Sequence, residues 1–308
     1  MPDLMQQLHA ARPTDGQLDT MWPEEQRTEA LARVLNTPSH SRRRPLRAGV
    51  LVAAATVAAL AVAPTILGSG EAAAQADLKA LAMAVVAAGG PVIEEGTFLH
   101  VKTEALQQNS SLFGDGETLD TNRESWVRWD GETWAIDTRP SAGWREYHEF
   151  ARADEPSLSN PTPEFAASLP DHPDALRTYL DEHVSGSNSH EEAIFVAVSD
   201  LARSHFLPPE TLAAALHVLA DVEGVETRDV TVQGRSAVKI SYSSFWGLFT
   251  GRHSITVDRD TARVISENKS DPGGTYDLAT TLVEVVDEIP QEVRTVFQQQ
   301  EDGARVFD

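Results

Sequence analysis

The chain has 308 residues, no cysteine and a formal net charge of −22. That length allows one large domain or two ordinary ones with a substantial apolar core. The lack of cysteine excludes disulfide frameworks, thiolate zinc sites and cysteine nucleophiles, and the excess of acid argues against nucleic acid as a partner, because phosphate would be repelled over most of the surface.

The charge is unevenly divided. Residues 1–47 carry seven Arg and no Lys against six acidic residues, and the rest of the chain carries 18 basic against 41 acidic residues, a balance of −23. Within the first segment, Leu4, Met5 and Leu8 recur at helical spacing before Arg12-Pro13-Thr14-Asp15-Gly16 breaks the pattern. Trp22-Pro23-Glu24-Glu25 then reads as a helix start, and Ala30, Leu31, Val34 and Leu35 form one apolar stripe before Pro38. Two such short helices bury little surface alone. Residues 1–40 therefore either fray against the membrane or dock on a protein partner.

From Ala48 to Gly68 run 21 residues without a charge. At about 1.5 Å per residue they span the roughly 30 Å of a bilayer's hydrocarbon core. Arg42, Arg43, Arg44 and Arg47 precede the run, and Ser69, Gly70 and Glu71 follow it. By the positive-inside rule these arginines set the topology, with the N-terminus cytoplasmic and residues 69–308 outside. A buried helix of a soluble protein is one rival reading. The other is a cleaved signal, since the arginines resemble a degenerate twin-arginine sequence and Ala74-Gln75-Ala76 a small-residue cleavage site.

Residues 69–308 begin with an expected helix over 71–88, where Ala74, Leu78, Leu81, Val85 and Ala88 share a face and Gly89-Gly90-Pro91 ends it. Strands are expected over 97–104, 123–129, 133–138 and 144–150, the second and third joined across Asp130-Gly131, a favoured hairpin pair. A polar loop over 151–163 leads to helices over 173–184, 190–205 and 209–222, with Pro173 and Pro209 at first-turn positions. Strands return over 225–232, 236–242, 253–258, 263–268 and 276–286. The tail from Pro290 reads as polar and frayed. The fold class is α+β: one transmembrane helix over 48–68, then an extracytoplasmic curved antiparallel sheet, half-barrel-like, with a helical insertion.

Few residues suggest chemistry. No Gly-x-Ser-x-Gly elbow, phosphate-binding glycine loop or His-Glu-x-x-His helix occurs, and the ten histidines have no ligand spacing, so neither an enzyme nor a bound cofactor or metal is expected. Gly114-Asp115-Gly116-Glu117 with Asp120 lacks the spacing of an EF-hand and reads as a solvated turn rather than a calcium loop. Trp126, Trp129 and Trp134 either line an apolar ligand groove or fill a core. Phe245, Trp246 and Phe249, in Phe-Trp-Gly-Leu-Phe, belong either to a strand buried on both faces or to an apolar loop at a cavity mouth.

Three segments resemble a family of actinobacterial single-pass membrane proteins of unknown function. They are Leu169-Pro170-Asp171-His172-Pro173-Asp174-Ala175-Leu176-Arg177; Leu207-Pro208-Pro209 running to Val222-Glu223-Gly224-Val225; and the hairpins around Gly234-Arg235 and Ile255–Val264. In the last, Ala262 stands where the family tends to place Gly. The resemblance implies a short inner arm, one span and an outer domain, and it brings no catalytic residues. The layout is also similar to that of anti-sigma factors, without their His and Cys-x-x-Cys zinc motif, and the element order resembles periplasmic lipoprotein-carrier half-barrels. The expected function is that of a membrane-anchored extracytoplasmic sensor or interaction protein, with a possible regulatory arm. The alternative is a tethered carrier-type domain for a lipid, lipoprotein or other apolar ligand.

Overall fold

The computed structural model describes residues 71–90, 92–109, 116–152, 155–246 and 249–301, with backbone only at residues 246, 249 and 298–301. The arm, the apolar run 48–68 and Arg42, Arg43, Arg44 and Arg47 lie outside these residues. Among the described residues no helix is long and apolar enough to cross a membrane.

Helix α1 (Glu71–Ala88) precedes strands β1 (Phe98–Asn109), β2 (Thr118–Arg128), β3 (Thr133–Arg139) and β4 (Trp144–Phe150). Four helices follow: α2 (Pro163–Ser168), α3 (Pro173–His183), α4 (His190–Ser204) and α5 (Pro209–Ala220). Strands β5 (Val225–Val232), β6 (Arg235–Trp246), β7 (Phe249–Asp258), β8 (Val264–Asp271) and β9 (Gly274–Val286) form a second meander, and α6 (Gln291–Glu301) ends the described chain. All nine strands join one unclosed antiparallel sheet in the order β4-β3-β2-β1-β9-β8-β7-β6-β5. The first and last strands therefore pair at its centre, from Phe98 opposite Val286 to Asn109 opposite Gly274.

The expected helix over 71–88 and the strands over 144–150 and 225–232 coincide with α1, β4 and β5. Several strands are longer than expected. β2 begins at Thr118 and β6 continues to Trp246, because polar residues there pair on the backbone ladder without interrupting it. The frayed tail is corrected to helix α6, whose Val293 and Phe297 turn inward at i, i+4 spacing and are buried. Part of the expected loop before residue 163 leads into α2, capped by Thr162 Oγ1, which accepts from Phe165 N at 3.1 Å. At Ala262, where the resembled family tends to place Gly, the backbone is left-handed (φ 52°) and the residue is fully buried.

The two halves of the sheet are covered on opposite faces. Over β5–β8, Val238, Ile240, Ile255, Val257 and Val264 pack against Leu78, Leu81 and Val85 of α1, Phe195, Val198 and Leu201 of α4, and Leu212, Leu216 and Leu219 of α5. Over β1–β4, the other face is covered: Trp126 is buried with Ile289, Val293 and Phe297, and Phe98, Trp134, Ile136 and Tyr147 pack around them. The helix-side face of β1–β3 is left open. A bulge between Lys102 and Thr103 opposite β9 bends the central pair and keeps Leu278 and Val283 on that same side.

The β1–β9 junction requires a glycine. Gly274 has φ 145°, and a Cβ there would lie 2.0 Å from Gln108 O. Gly143 has φ 60° and open space around it. In urea denaturation Gly274→Ala is expected to cost more than about 2 kcal/mol, against about 1 kcal/mol for Gly143→Ala. Equal effects would mean that the close approach is relieved without loss.

Candidate functional site

The open face of β1–β3 and β9 forms one wall of a cavity of about 810 Å³, closed on the other side by the end of α4, Phe206 and the loop at 159–162. The wall follows from strand alternation. Val101, Thr103, Ala105 and Gln107 of β1 point to one side and stand opposite Ser125, Arg123, Thr121 and Leu119 of β2, which also line it. Ala135 of β3 and Tyr276 and Leu278 of β9 extend this surface. The loop is held over the cavity rim by the β2–β3 turn: Glu164 N donates to Trp129 O at 3.0 Å, and Gly131 (φ 92°) lies so close to Thr162 that a Cβ would meet its methyl at 2.3 Å. Ala202 accepts the capping bond from His205, whose left-handed backbone (φ 61°) turns the chain so that Phe206 reaches the cavity.

Three arginines line the cavity; Arg139 has its Cζ 5.2 Å from the Trp144 ring centre, and the other two are held by carboxylates. Arg123 donates from Nε and Nη2 to the two oxygens of Asp137, both at 2.7 Å, and about half of its side chain stays exposed. Its Cζ sits 6.0 Å from the Phe150 ring centre. Arg203 donates from Nη2 to Asp200 Oδ1 at 3.4 Å; its enclosed Nε lies 3.2 Å from Glu267 Oε2 but outside hydrogen-bond geometry. Tyr276, also on the wall, has its hydroxyl pKa raised by burial and then by the nearby Glu267 charge, against the opposing pull of Arg203 and Arg123.

Behind the cavity, Glu267 of β8 is almost fully buried and meets three basic side chains. His253 Nε2 lies at 2.8 Å, Lys269 Nζ at 2.9 Å and Arg203 Nε at 3.2 Å. Burial alone would raise its pKa. The hydrogen bonds from His253 and Lys269, with the charges of Lys269 and Arg203, outweigh that and hold it at about 2.

The aromatic residues singled out in the sequence do not share one surface. Trp126 and Trp134 stand directly opposite each other on the face under α6. Trp126 stacks on His100, with ring centres 4.8 Å apart, and His100 in turn meets Glu284 at 2.9 Å and Glu124 at 2.8 Å. Trp134 lines a smaller slot of about 330 Å³ with Phe98 and Phe297. Trp129 packs on the opposite side, against Ile93, Leu99 and Val127. Phe245 is 71% exposed, and the backbones of Trp246 and Phe249 pair with each other at the end of the β6–β7 hairpin. Of the segment expected to be a solvated turn, residues 114 and 115 lie outside the described residues, and Asp120 accepts from the backbone N and hydroxyl of Ser141. No group of three or more metal-ligating side chains occurs among the described residues.

The sequence reading missed Arg123, Arg203, Tyr276 and Glu267. Arg123 and Asp137 carry a signal in hindsight, as opposite charges on two strands joined by Asp130-Gly131. Their pairing needs the hairpin register.

No family model and no curated protein matches the chain. Solved structures similar to it include a LolA superfamily protein from Nitrosomonas europaea (9% identity, TM-score 0.23, covering 71% of this chain and 96% of that one). Others are a putative outer membrane lipoprotein-sorting protein domain from Vibrio parahaemolyticus (8%, 0.23, 71% and 96%) and a DUF1329 family protein from Desulfovibrio piger (10%, 0.24, 71% and 94%). Similarity at this level transfers neither ligand nor function.

The Glu267 cluster predicts a pH dependence with a defined sign. Its folded pKa of about 2 lies below the usual 4.5, so the cluster's contribution is fully present above about pH 4.5 and is lost as pH falls toward 2. Glu267→Gln is expected to cost roughly 1–3 kcal/mol at neutral pH, because the amide cannot replace the carboxylate's hydrogen bonds with His253 and Lys269, and to flatten the stability profile between those pH values. A profile as steep as that of the parent protein would contradict this assignment.

Proposed function

We propose that residues 69–308 form an extracytoplasmic binding domain of carrier type, held at the membrane by the apolar run 48–68, that takes an amphiphile into the cavity. The observation that carries this reading is the composition of the cavity lining. Val101, Ala105, Leu119 and Leu278 offer an aliphatic surface beneath Phe206, while Arg123, Arg203 and Tyr276 supply polar groups. Binding sites of this kind combine apolar contact area with a few polar groups that fix orientation. An acyl or similar chain would lie along β1 and β2, with its polar end at the guanidiniums. Asp137, Asp200 and Glu267 offset the charges of Arg123 and Arg203, and Arg139 adds a third positive group to the lining, which favours an acidic polar end.

The tether supports this reading from the sequence side: 21 uncharged residues follow an arginine cluster. The regulatory reading rests on residues 1–40, which lie outside the described residues, and no geometric feature favours it.

Titration of the full chain in mild detergent with cis-parinaric acid, a fluorescent fatty acid, tests the proposal. Saturable binding is expected, and Ala105→Phe, which fills the wall between Thr121 and Leu278, should weaken it roughly tenfold, a loss of about 1.4 kcal/mol, at an unchanged unfolding temperature. The absence of saturable binding, or equal binding by the variant, would remove the cavity from the account.

A further inference from the structure

We infer that a second cavity, between the end of α1 and the β7–β8 turn, binds the phosphate group of a small ester through the Arg263 guanidinium. It measures about 500 Å³ and shares no lining residue with the cavity under β1 and β2, so it does not depend on what that cavity holds.

The first observation concerns charge. Arg263 follows the left-handed Ala262 in the turn from β7 to β8, and its carbonyl accepts from Asp258 N at 2.9 Å. The guanidinium lies against Gly90, where a Cβ would come within 3.0 Å of Nη2 and 3.3 Å of Pro209 Cγ. The chain after α1 and the first residue of α5 thus leave it a fitted space. Among the described residues no carboxylate pairs with it. Burial lowers its pKa, and no neighbouring charge opposes that shift. Its neighbour His205, which lines a narrow void with Arg263 and Gly90, supplies no counter-charge, because burial and then the charges of Arg263 and Arg203 lower its pKa to about 3. Drawing a guanidinium out of water without a counter-charge costs free energy. Beyond residue 47 the chain has 41 acidic side chains against 18 basic ones, so an arginine left without a carboxylate stands out.

The one carboxylate in this lining is already engaged. Asp258 Oδ1 accepts from the backbone N of Asp260 at 3.0 Å and of Thr261 at 3.2 Å, and Oδ2 lies 3.7 Å from Arg235 Nη1.

The second observation is the set of donors. Arg235 of β6 and Arg263 line the cavity together with Thr280 of β9, whose enclosed hydroxyl has no hydrogen-bond partner. Two guanidiniums and a hydroxyl offer more donors than the two oxygens of a carboxylate can use. A phosphate ester presents three terminal oxygens, and the guanidinium fork matches them in pairs. The volume lies within the roughly 300–1,000 Å³ of small-molecule sites. Val264 and Leu282 add apolar surface beside the polar groups, which suits the organic part of an ester.

Calorimetric titration of glycerol 3-phosphate, a soluble phosphate ester, into the full chain in mild detergent at constant ionic strength tests the inference. Saturable binding is expected, weakened at least tenfold in Arg263→Met and several-fold in Arg235→Gln, whose parent side chain is 59% exposed. Arg145→Met, which removes an exposed charge from β4, should leave it unchanged. Without phosphate, Arg263→Met should unfold at or above the parent's temperature, because it removes an uncompensated charge. Phosphatidic acid in the micelles presents the same group on a lipid. Arg263-dependent binding of that lipid alone assigns the ester to a membrane source, and binding of glycerol 3-phosphate assigns it to a soluble one. No Arg263-dependent binding of either, or equally tight binding of acetate, overturns the inference. Loss of binding together with a lower unfolding temperature in Arg263→Met, while Arg235→Gln binds as the parent does, makes Arg263 a structural residue and also overturns it.

Discussion

The fold depends on the antiparallel pairing of β1 with β9. Each meander is local, built from neighbouring hairpins, but only this pairing of strands from the two ends of the domain merges them into one sheet. Closing so long a loop costs conformational entropy that local hairpins do not incur. Twelve paired positions and the buried Leu99, with Val285 packed beside it, offset that cost. The same pairing requires glycine at position 274, where the backbones leave no room for a Cβ.

Once merged, the sheet has more helix-side surface than the helices cover. Helices α1, α4 and α5 fill the helix-side face over β5–β8, and α6 covers the reverse face of β1–β4, where Trp126 is buried. The helix-side face of β1–β3 is left as the cavity wall. At the boundary between filled and open regions sits Glu267, opposite Leu278 of β9 and in contact with Arg203 at the end of α4. A buried carboxylate holding basic side chains from α4, β7 and β8 fixes the helix end that closes the cavity. A hydrophobic residue there would pack but would not orient the guanidinium.

The local elements were legible because their signals are local. Helix α1 could be read from its 3.6-residue stripe, α3 and α5 from Pro173 and Pro209, and the β2–β3 turn from Asp130-Gly131. The tail was misread because Val293 and Phe297 are only two apolar residues in a polar stretch, and the surface that makes them a helix face is supplied by Trp126, far away in sequence. The cavity was hidden for a related reason. Thr103, Ala105, Thr121 and Arg123 have no apolar pattern to mark them, and only the register places them on one wall. The tryptophans drew attention by type, yet two face α6 and the third the opposite side. Aromatic composition does not reveal which face of a strand is covered.

The cavity and the charge cluster behind it both follow from one sheet formed by pairing β1 with β9. Hydrogen exchange followed by mass spectrometry tests that dependence most directly. The account predicts that backbone amides of β1 and β9 exchange among the slowest in the domain, and that mild urea exposes them together with those of β6 and β7 in one cooperative step. Loss of protection in β1–β4 at lower urea, with β5–β8 still protected, would show that the two meanders are separate units. It would contradict the claim that their pairing builds the cavity.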